Sequence, residues 1–201
     1  MAKKQSAPQK TVIKKRLLKK SPLKKPLKVS APKVRARVAL LNTEFVTPEA
    51  FLKVGAKAPT FKLFNDREEP VSLSLFKGKR VILYFYPKDD TPGCTQESCD
   101  FRDGFAALLK LDVIVLGISR DPVAAHQKFK SKFNLPFNLL SDPDGQACEA
   151  YGVWKEKSMY GRKYMGIERS TFIIGANGRI EKIYPKVSVK GHVNQIMEDL
   201  K

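Results

Sequence analysis

The residue of this sequence with the most chemistry to offer is Cys94. It follows the loop Pro87-Lys88-Asp89-Asp90-Thr91-Pro92-Gly93 and falls in the first turn of a predicted helix. Unpaired backbone amides and the helix dipole favour negative charge there, and the thiolate, not the thiol, is the nucleophile. The loop supplies a hydroxyl three residues before the sulfur, at Thr91, and a glycine that lets backbone approach a ligand closely. A small anionic or dipolar substrate fits such a place. An isolated cysteine at a helix start is also a common inert packing residue, so position alone leaves both readings open.

Two further cysteines, Cys99 and Cys148, complete the set, and the histidines are His126 and His192. Structural zinc needs four close ligands, which Cys94-x4-Cys99, a distant Cys148 and two isolated histidines do not supply. No Cys-x-x-Cys pair is present, against a thioredoxin-like disulfide reductase. Three unevenly spaced cysteines do not make a disulfide scaffold, so they point to a reducing compartment. Cys148 lies on an apolar helix face and reads as packing, and the two histidines read as surface or helix-terminal residues.

The elements that must hold Cys94 come from the pattern around it. Arg80–Tyr86 is a nearly continuous apolar run, expected of a strand buried on both faces, and Pro87 ends it. Phe61–Phe64 and Val71–Leu75, around an acidic turn, read as a hairpin. A helix is expected from Cys94 to Leu109, a strand from Asp112 to Ile118, a helix from Pro122 to Phe133 and a strand from Phe137 to Leu140. Gln146–Tyr151 reads as a short helix. Thr171–Ile174 and Arg179–Tyr184 read as a hairpin with Asn177-Gly178 in its turn, and Gly191–Leu200 as a final helix. This order implies an α/β fold of thioredoxin-like kind, a mixed central sheet flanked by helices.

The run Tyr84-Phe85-Tyr86-Pro87-Lys88-Asp89-Asp90-Thr91-Pro92-Gly93-Cys94-Thr95-Gln96-Glu97-Ser98-Cys99 closely resembles the active site of the peroxiredoxins, in the PrxQ or bacterioferritin-comigratory-protein subfamily. The resemblance extends from about Lys53 to the C-terminus, through Ser141-Asp142-Pro143-Asp144-Gly145, Gly152-Val153-Trp154 and Gly166-Ile167-Glu168-Arg169-Ser170-Thr171-Phe172. It implies a thiol peroxidase, acting on hydrogen peroxide and organic hydroperoxides, with Cys94 as the peroxidatic thiolate and Cys99 as the resolving cysteine. Thr91 would then hydrogen-bond thiolate and peroxide, Pro87 shield the sulfur, and Arg169 stabilise charge in the pocket. Glu97 would orient Arg169. The resemblance also implies thioredoxin as reductant, no cofactor and, with no C-terminal extension bearing a further cysteine, resolution within one chain and a monomer. One departure is Gly175, where the family often has aspartate.

The net charge of +18 is concentrated at one end, since residues 1–37 hold 14 Lys or Arg and no Asp or Glu, leaving 24 basic against 20 acidic residues beyond them. That tail repeats Pro-Leu-Lys, lacks aromatics and cannot bury a core, so disorder is expected. A transient helix over Thr11–Lys20 and a short one after Thr47-Pro48-Glu49 are the most its sequence and the next segment support. The expected organisation is a tail at 1–37, a connecting segment at 38–52 and the peroxiredoxin domain at 53–201. Nucleic-acid binding, targeting and plain solvation remain open for the tail, with nucleic acid favoured. Neither a transmembrane run nor a signal peptide is evident, so the expected location is cytoplasmic, or nuclear in a eukaryote through Lys14-Lys15-Arg16, Lys19-Lys20 and Lys24-Lys25. A second reading makes the protein chiefly a polyanion-binding or chromatin-associated factor with secondary peroxidase activity.

Overall fold

The computed structural model describes residues 52–159 and 161–201. The expectations for the tail and for nearly all of the connecting segment lie outside the described residues.

Strand β3 (Arg80–Phe85) is the axis of the fold. Its side chains alternate with the pleat, so Val81, Leu83 and Phe85 enter one apolar layer while Ile82 and Tyr84, followed by Tyr86, enter the other. A strand buried on both faces must sit inside a covered sheet. It pairs in parallel with β4 (Val113–Ser119) and antiparallel with β8 (Ser170–Ile174). Beyond these lie β5 (Asn138–Ser141), β1 (Leu63–Asn65), β2 (Pro70–Val71) and β9 (Ile180–Tyr184), in the seven-stranded order β2-β1-β5-β4-β3-β8-β9.

Helices α1 (Pro92–Asp103), α2 (Phe105–Lys110), α3 (Val123–Phe133) and α5 (His192–Asp199) send Phe101, Leu108, Phe129, Val193 and Ile196 into the layer that holds Tyr84. The short α4 (Gln146–Ala150) places Ala147 and Cys148 in the opposite layer. Cys148 is fully buried, and burial pushes its thiol well above the ordinary range, with Asp142 adding to the effect.

Three elements differ from the sequence reading. The single helix expected over 94–109 is two helices divided at Gly104, whose missing side chain lets α5 close in: a Cβ there would stand 3.3 Å from Val193 and 3.5 Å from the Met197 sulfur. The strand expected over Val71–Leu75 stops after Val71 and becomes a 3-10 turn at Leu73–Phe76, leaving Leu75 exposed. The third difference is a two-stranded hairpin, β6 (Trp154–Met159) and β7 (Arg162–Ile167), separate from the main sheet. β6 is mostly polar and β7 opens on Arg162 and Lys163, so neither a regular alternation nor a long apolar run marks the pair.

Gly117 of β4 makes the tightest packing demand beneath α1. A Cβ at this position would lie 2.6 Å from the Tyr84 hydroxyl oxygen and 2.9 Å from Leu139. Tyr84 stacks on Phe101 of α1, with ring centroids 4.7 Å apart, and its hydroxyl pairs with Ser98 of the same helix at 3.1 Å. Gly117→Ala is therefore expected to destabilise the fold by about 1–3 kcal/mol, the usual cost of overpacking a filled core. Urea unfolding measures it, and an unchanged midpoint would contradict this account of the packing.

Candidate active site

The thiol is positioned by the end of β3 and the start of α1. Pro92 and Gly93 are the first helical residues, with Thr91 as N-cap, so Cys94 is the third residue of the helix. Proline is suited to this first turn because its fixed φ is already helical and its missing N–H is not needed there. The first intrahelical amide bond runs from Thr95 N–H to Thr91 C=O at 2.8 Å, which leaves the Gly93 and Cys94 amides without an acceptor inside the helix. Cys94 itself is buried, while Pro87, Pro92 and Gly93 around it are exposed.

Arg169, just before β8 and 75 residues away in sequence, reaches the sulfur. Its Nη2 donates to Cys94 Sγ at 3.2 Å, and its Nη1 donates to the Glu97 carboxylate. The antiparallel pairing of β8 with β3, in which Phe85 faces Ser170, brings this arginine to the end of the central strand. Gly93 has its own part in the approach, because a Cβ there would stand 3.4 Å from Arg169 Nη2.

Glu97 is one turn after Cys94 on the buried face of α1. It is fully buried, and its Oε1 has no protein partner among the described residues. Burial raises its pKa to about 7, an effect that Arg169 only partly offsets. For Arg169, burial opposes the charge, but Glu97 and Cys94 outweigh it and hold the guanidinium more firmly protonated.

Thr91 Oγ1 donates to the Lys88 carbonyl at 3.0 Å, leaving the hydroxyl oxygen as an acceptor. Cys99 lies five residues beyond Cys94 on the same unbroken helix and is half-buried. All three cysteines are free thiols. Among the described residues no group of three or more His, Cys, Asp or Glu is arranged to hold a metal ion.

Some neighbours of the site were not legible beforehand. Lys157, on the unforeseen hairpin, donates to the Ile167 carbonyl at 2.5 Å, and burial together with Arg169 lowers its pKa. The histidines are not surface residues: both are buried, His126 within α3 and His192 at the start of α5. His192 Nε2 pairs with Thr171 Oγ1 at 2.8 Å, and burial, helped by Arg169, lowers its pKa to about 4. It stays neutral near pH 7 and adds no charge to compete with Arg169.

A mixed sheet in this order, with a thiol opening the helix after the central strand, defines a thioredoxin-like protein built for thiol chemistry. The model of the AhpC/TSA family matches residues 54–183. A putative peroxiredoxin bcp of Coxiella burnetii is 58% identical over 146 residues, 73% of this chain and 97% of that protein. Peroxiredoxin Bcp of Bacillus subtilis is 51% identical over 150 residues, 75% of this chain and 96% of that one. Among solved structures, the bacterioferritin comigratory protein of Xanthomonas campestris, studied for its alkyl peroxide reduction activity, is similar at a TM-score of 0.69 and 37% identity, covering 74% of this chain and 95% of that chain. The chain belongs to the AhpC/TSA family of peroxiredoxins, in its PrxQ/Bcp branch, and is a thiol peroxidase. These relatives are bacterial, and the nuclear expectation finds no support in them. No helix among the described residues is long and apolar enough to cross a membrane.

Glu97 makes stability depend on pH. Its folded pKa is raised from 4.5 to about 7, so the native state holds a proton that the unfolded chain releases between those values. Its contribution is fully present below pH 4.5 and is lost as pH rises through 7. Glu97→Gln should remove up to about 3 kcal/mol of that decline, at 1.36 kcal/mol per pKa unit. Urea titrations at pH 4.5 and pH 7.5 measure it; an equal decline in both proteins would show that Glu97 is not the group responsible.

Proposed function

We propose that Cys94 is the peroxidatic residue and Cys99 the resolving one, with Arg169, Thr91 and Pro87 completing the pocket. The observation that carries this reading is the Arg169 contact: a permanent cation at 3.2 Å from the sulfur, in a helix first turn with two free amides. The thiolate attacks one peroxide oxygen, the O–O bond breaks, and its electron pair leaves with the other oxygen, which takes a proton and departs as water or an alcohol. The sulfur remains as a sulfenic acid. Arg169 and the Gly93 and Cys94 amides are suited to stabilising the charge that moves onto the departing oxygen. Thr91 offers its oxygen to the peroxide O–H, and Pro87, exposed just after β3, is assigned the shielding of the sulfur. A cleft of about 740 Å³ between α1 and α5 begins at Pro92 and Gly93 but is lined by none of Cys94, Thr91 and Arg169, so the inclusion of organic hydroperoxides rests on the likeness to the Xanthomonas campestris protein studied for alkyl peroxide reduction.

Cys99 then condenses with the sulfenic acid, releasing water and leaving a disulfide that thioredoxin reduces, within a monomer. Along an intact helix five residues correspond to a rise of about 7.5 Å, and the two side chains leave on different faces. A disulfide requires Cα atoms within about 7 Å and converging side chains. The start of α1 must therefore unwind for resolution, after having been folded for attack.

The basic stretch 1–37 suits a further role as an arm that holds nucleic acid by its phosphates, the peroxiredoxin domain being residues 53–201 and residues 38–52 the connection. With a thiol, an arginine and a buried glutamate assembled at one helix start, peroxide reduction is the primary activity, and polyanion binding is an addition to it.

Cys94→Ser is expected to abolish peroxide reduction, while Cys99→Ser should complete at most one turnover and keep a sulfenic acid at Cys94, seen by dimedone labelling and peptide mass. Near-normal turnover by Cys94→Ser would overturn the assignment. Deleting residues 1–37 should leave the peroxidase rate unchanged and abolish retention of DNA and RNA at low salt. In the full-length chain that retention should fall steeply with salt, by on the order of 10³-fold or more between 50 and 200 mM if six or more phosphates are contacted. Equal retention by both chains would exclude the tail as the binding element.

A further inference from the structure

The loop that leads into Cys94 is tied to a helix that carries no cysteine. Asp89, five residues before Cys94, is buried, and its carboxylate meets two buried partners. The Tyr86 hydroxyl donates to Oδ1 at 2.7 Å, and His126 Nδ1 of α3 lies 2.7 Å from Oδ2. Because the carboxylate accepts, Nδ1 carries the proton. The Asp89 amide in turn donates to Asp121 Oδ2 at 2.8 Å, and the same oxygen accepts from Ser119 Oγ at the end of β4. The next residue, Asp90, adopts a left-handed backbone with φ 55° and is paired with Lys132 near the end of α3 at 2.7 Å.

The Asp89–His126 contact differs from the others in what its loss would leave behind. His126 is fully buried, and its Nε2 meets no hydrogen-bond partner among the described residues. All the polar contacts of this ring therefore pass through Nδ1. Nδ1 also lies 3.5 Å from the Tyr86 hydroxyl, so withdrawing Asp89 would leave this buried N–H donor only that one long contact, which costs more than losing an exposed hydrogen bond. None of these groups touches the Cys94 sulfur, so the network has no direct part in peroxide attack. It bears instead on how readily the loop and the start of α1 leave their closed arrangement.

We propose that the Asp89–His126 contact is a latch that sets how long the catalytic loop stays closed after peroxide attack, making His126 a positioning residue that governs the fate of the oxidised sulfur. The inference rests on the reading of Cys94 and Cys99 given above. While the segment is closed, the sulfenate meets only a second peroxide: Cys94–SO⁻ and ROOH give the sulfinate Cys94–SO₂⁻ and ROH, two electrons passing from sulfur to the peroxide. Once it opens, Cys94–SOH and the Cys99 thiol give the disulfide and water. The latch lengthens the first interval and so raises the share of enzyme lost to sulfinate at high peroxide.

The test is a pulse of hydrogen peroxide over a range of concentrations on the full-length reduced chain without reductant, with sulfinate and disulfide at Cys94 quantified by peptide mass. The ratio of the two products is read per oxidised molecule, so a smaller folded fraction does not change it. His126→Leu removes the donor and should need about tenfold more peroxide to reach equal sulfinate and disulfide, the order of factor lost with one hydrogen bond to a charged group. His126→Asn, whose amide can reach the same carboxylate oxygen, should stay near the wild-type value. Tyr86→Phe keeps the ring and removes the other donor to Asp89 together with the long Tyr86–His126 contact, leaving the Asp89–His126 pair in place, so it should move the threshold in the same direction by a smaller factor; it decides the matter if His126→Leu does not fold. An unmoved threshold in the folded variants, with the Cys94–Cys99 disulfide present, would overturn the latch. Absence of that disulfide in the wild type would overturn the reading of the two cysteines and the latch with it.

Discussion

Arg169, Glu97 and Cys94 form one electrostatic unit, and most of the domain's architecture can be traced to what that unit requires. A buried sulfur that is to carry negative charge needs positive partners held in place beforehand, because water is not there to reorganise around it. The guanidinium supplies one and the first-turn amides of α1 supply the others. Glu97 keeps the arginine from turning away, at the cost of a carboxyl group buried to the point that its own ionisation is resisted. The central strand must be rigid for these three to meet. One partner is delivered from the end of β3 through the loop to α1, and the other from the neighbouring strand β8, which approaches from the far end of the chain.

On the proposed reading of Cys94 and Cys99, attack and resolution make opposite demands on the same few residues. Helical geometry at the start of α1 orients the amides at the sulfur, yet the same geometry keeps Cys94 and Cys99 apart. The segment must then be stable enough to be formed and weak enough to open. Its ties to the rest of the domain show both tendencies. Tyr84–Ser98 and Phe101 anchor the middle of α1 in the core, whereas the first turn begins with Pro92 and Gly93 at the surface. The loop before it is fastened to α3 by Asp89 and Asp90, so its hold is made of a few polar contacts rather than of apolar burial. Polar contacts of this kind break singly, which suits a segment that has to open without unfolding the sheet.

The sequence by itself determined the elements whose signal is local. The run Arg80–Tyr86 reads as a doubly buried strand because every residue but the first is apolar, and the structure buries Val81 through Tyr86 completely. Proline and glycine before Cys94 mark a helix start because their backbone preferences are their own, independent of what packs around them. The family was readable from the sixteen residues Tyr84–Cys99, since a loop that must present a thiol, a hydroxyl and free amides together tolerates little variation. Where the local signal was weak, the reading failed: Trp154–Ile167 is a hairpin with polar residues on both faces, and Gly104 breaks a helix for the sake of a contact with α5.

Apart from the family resemblance that singled out Arg169, only the tertiary structure shows which distant residues lie beside the thiol. Arg169 is one of 38 basic side chains, and nothing within its own segment distinguishes it physically from a solvated surface charge; its distinction is the β3–β8 register that carries it to within 3.2 Å of the sulfur. His126 and His192 read as surface or helix-terminal residues, and His192 does open α5, but their burial was not legible because a histidine's neighbours in sequence say little about its partners in space. One is instead enclosed against Asp89 and the other against Thr171. Burial and charge pairing are sums over neighbours from every part of the chain, and those neighbours exist only once the sheet has formed. The chemistry that a residue type can perform is therefore written along the chain, while the environment that makes one cysteine reactive and another inert is set by the fold.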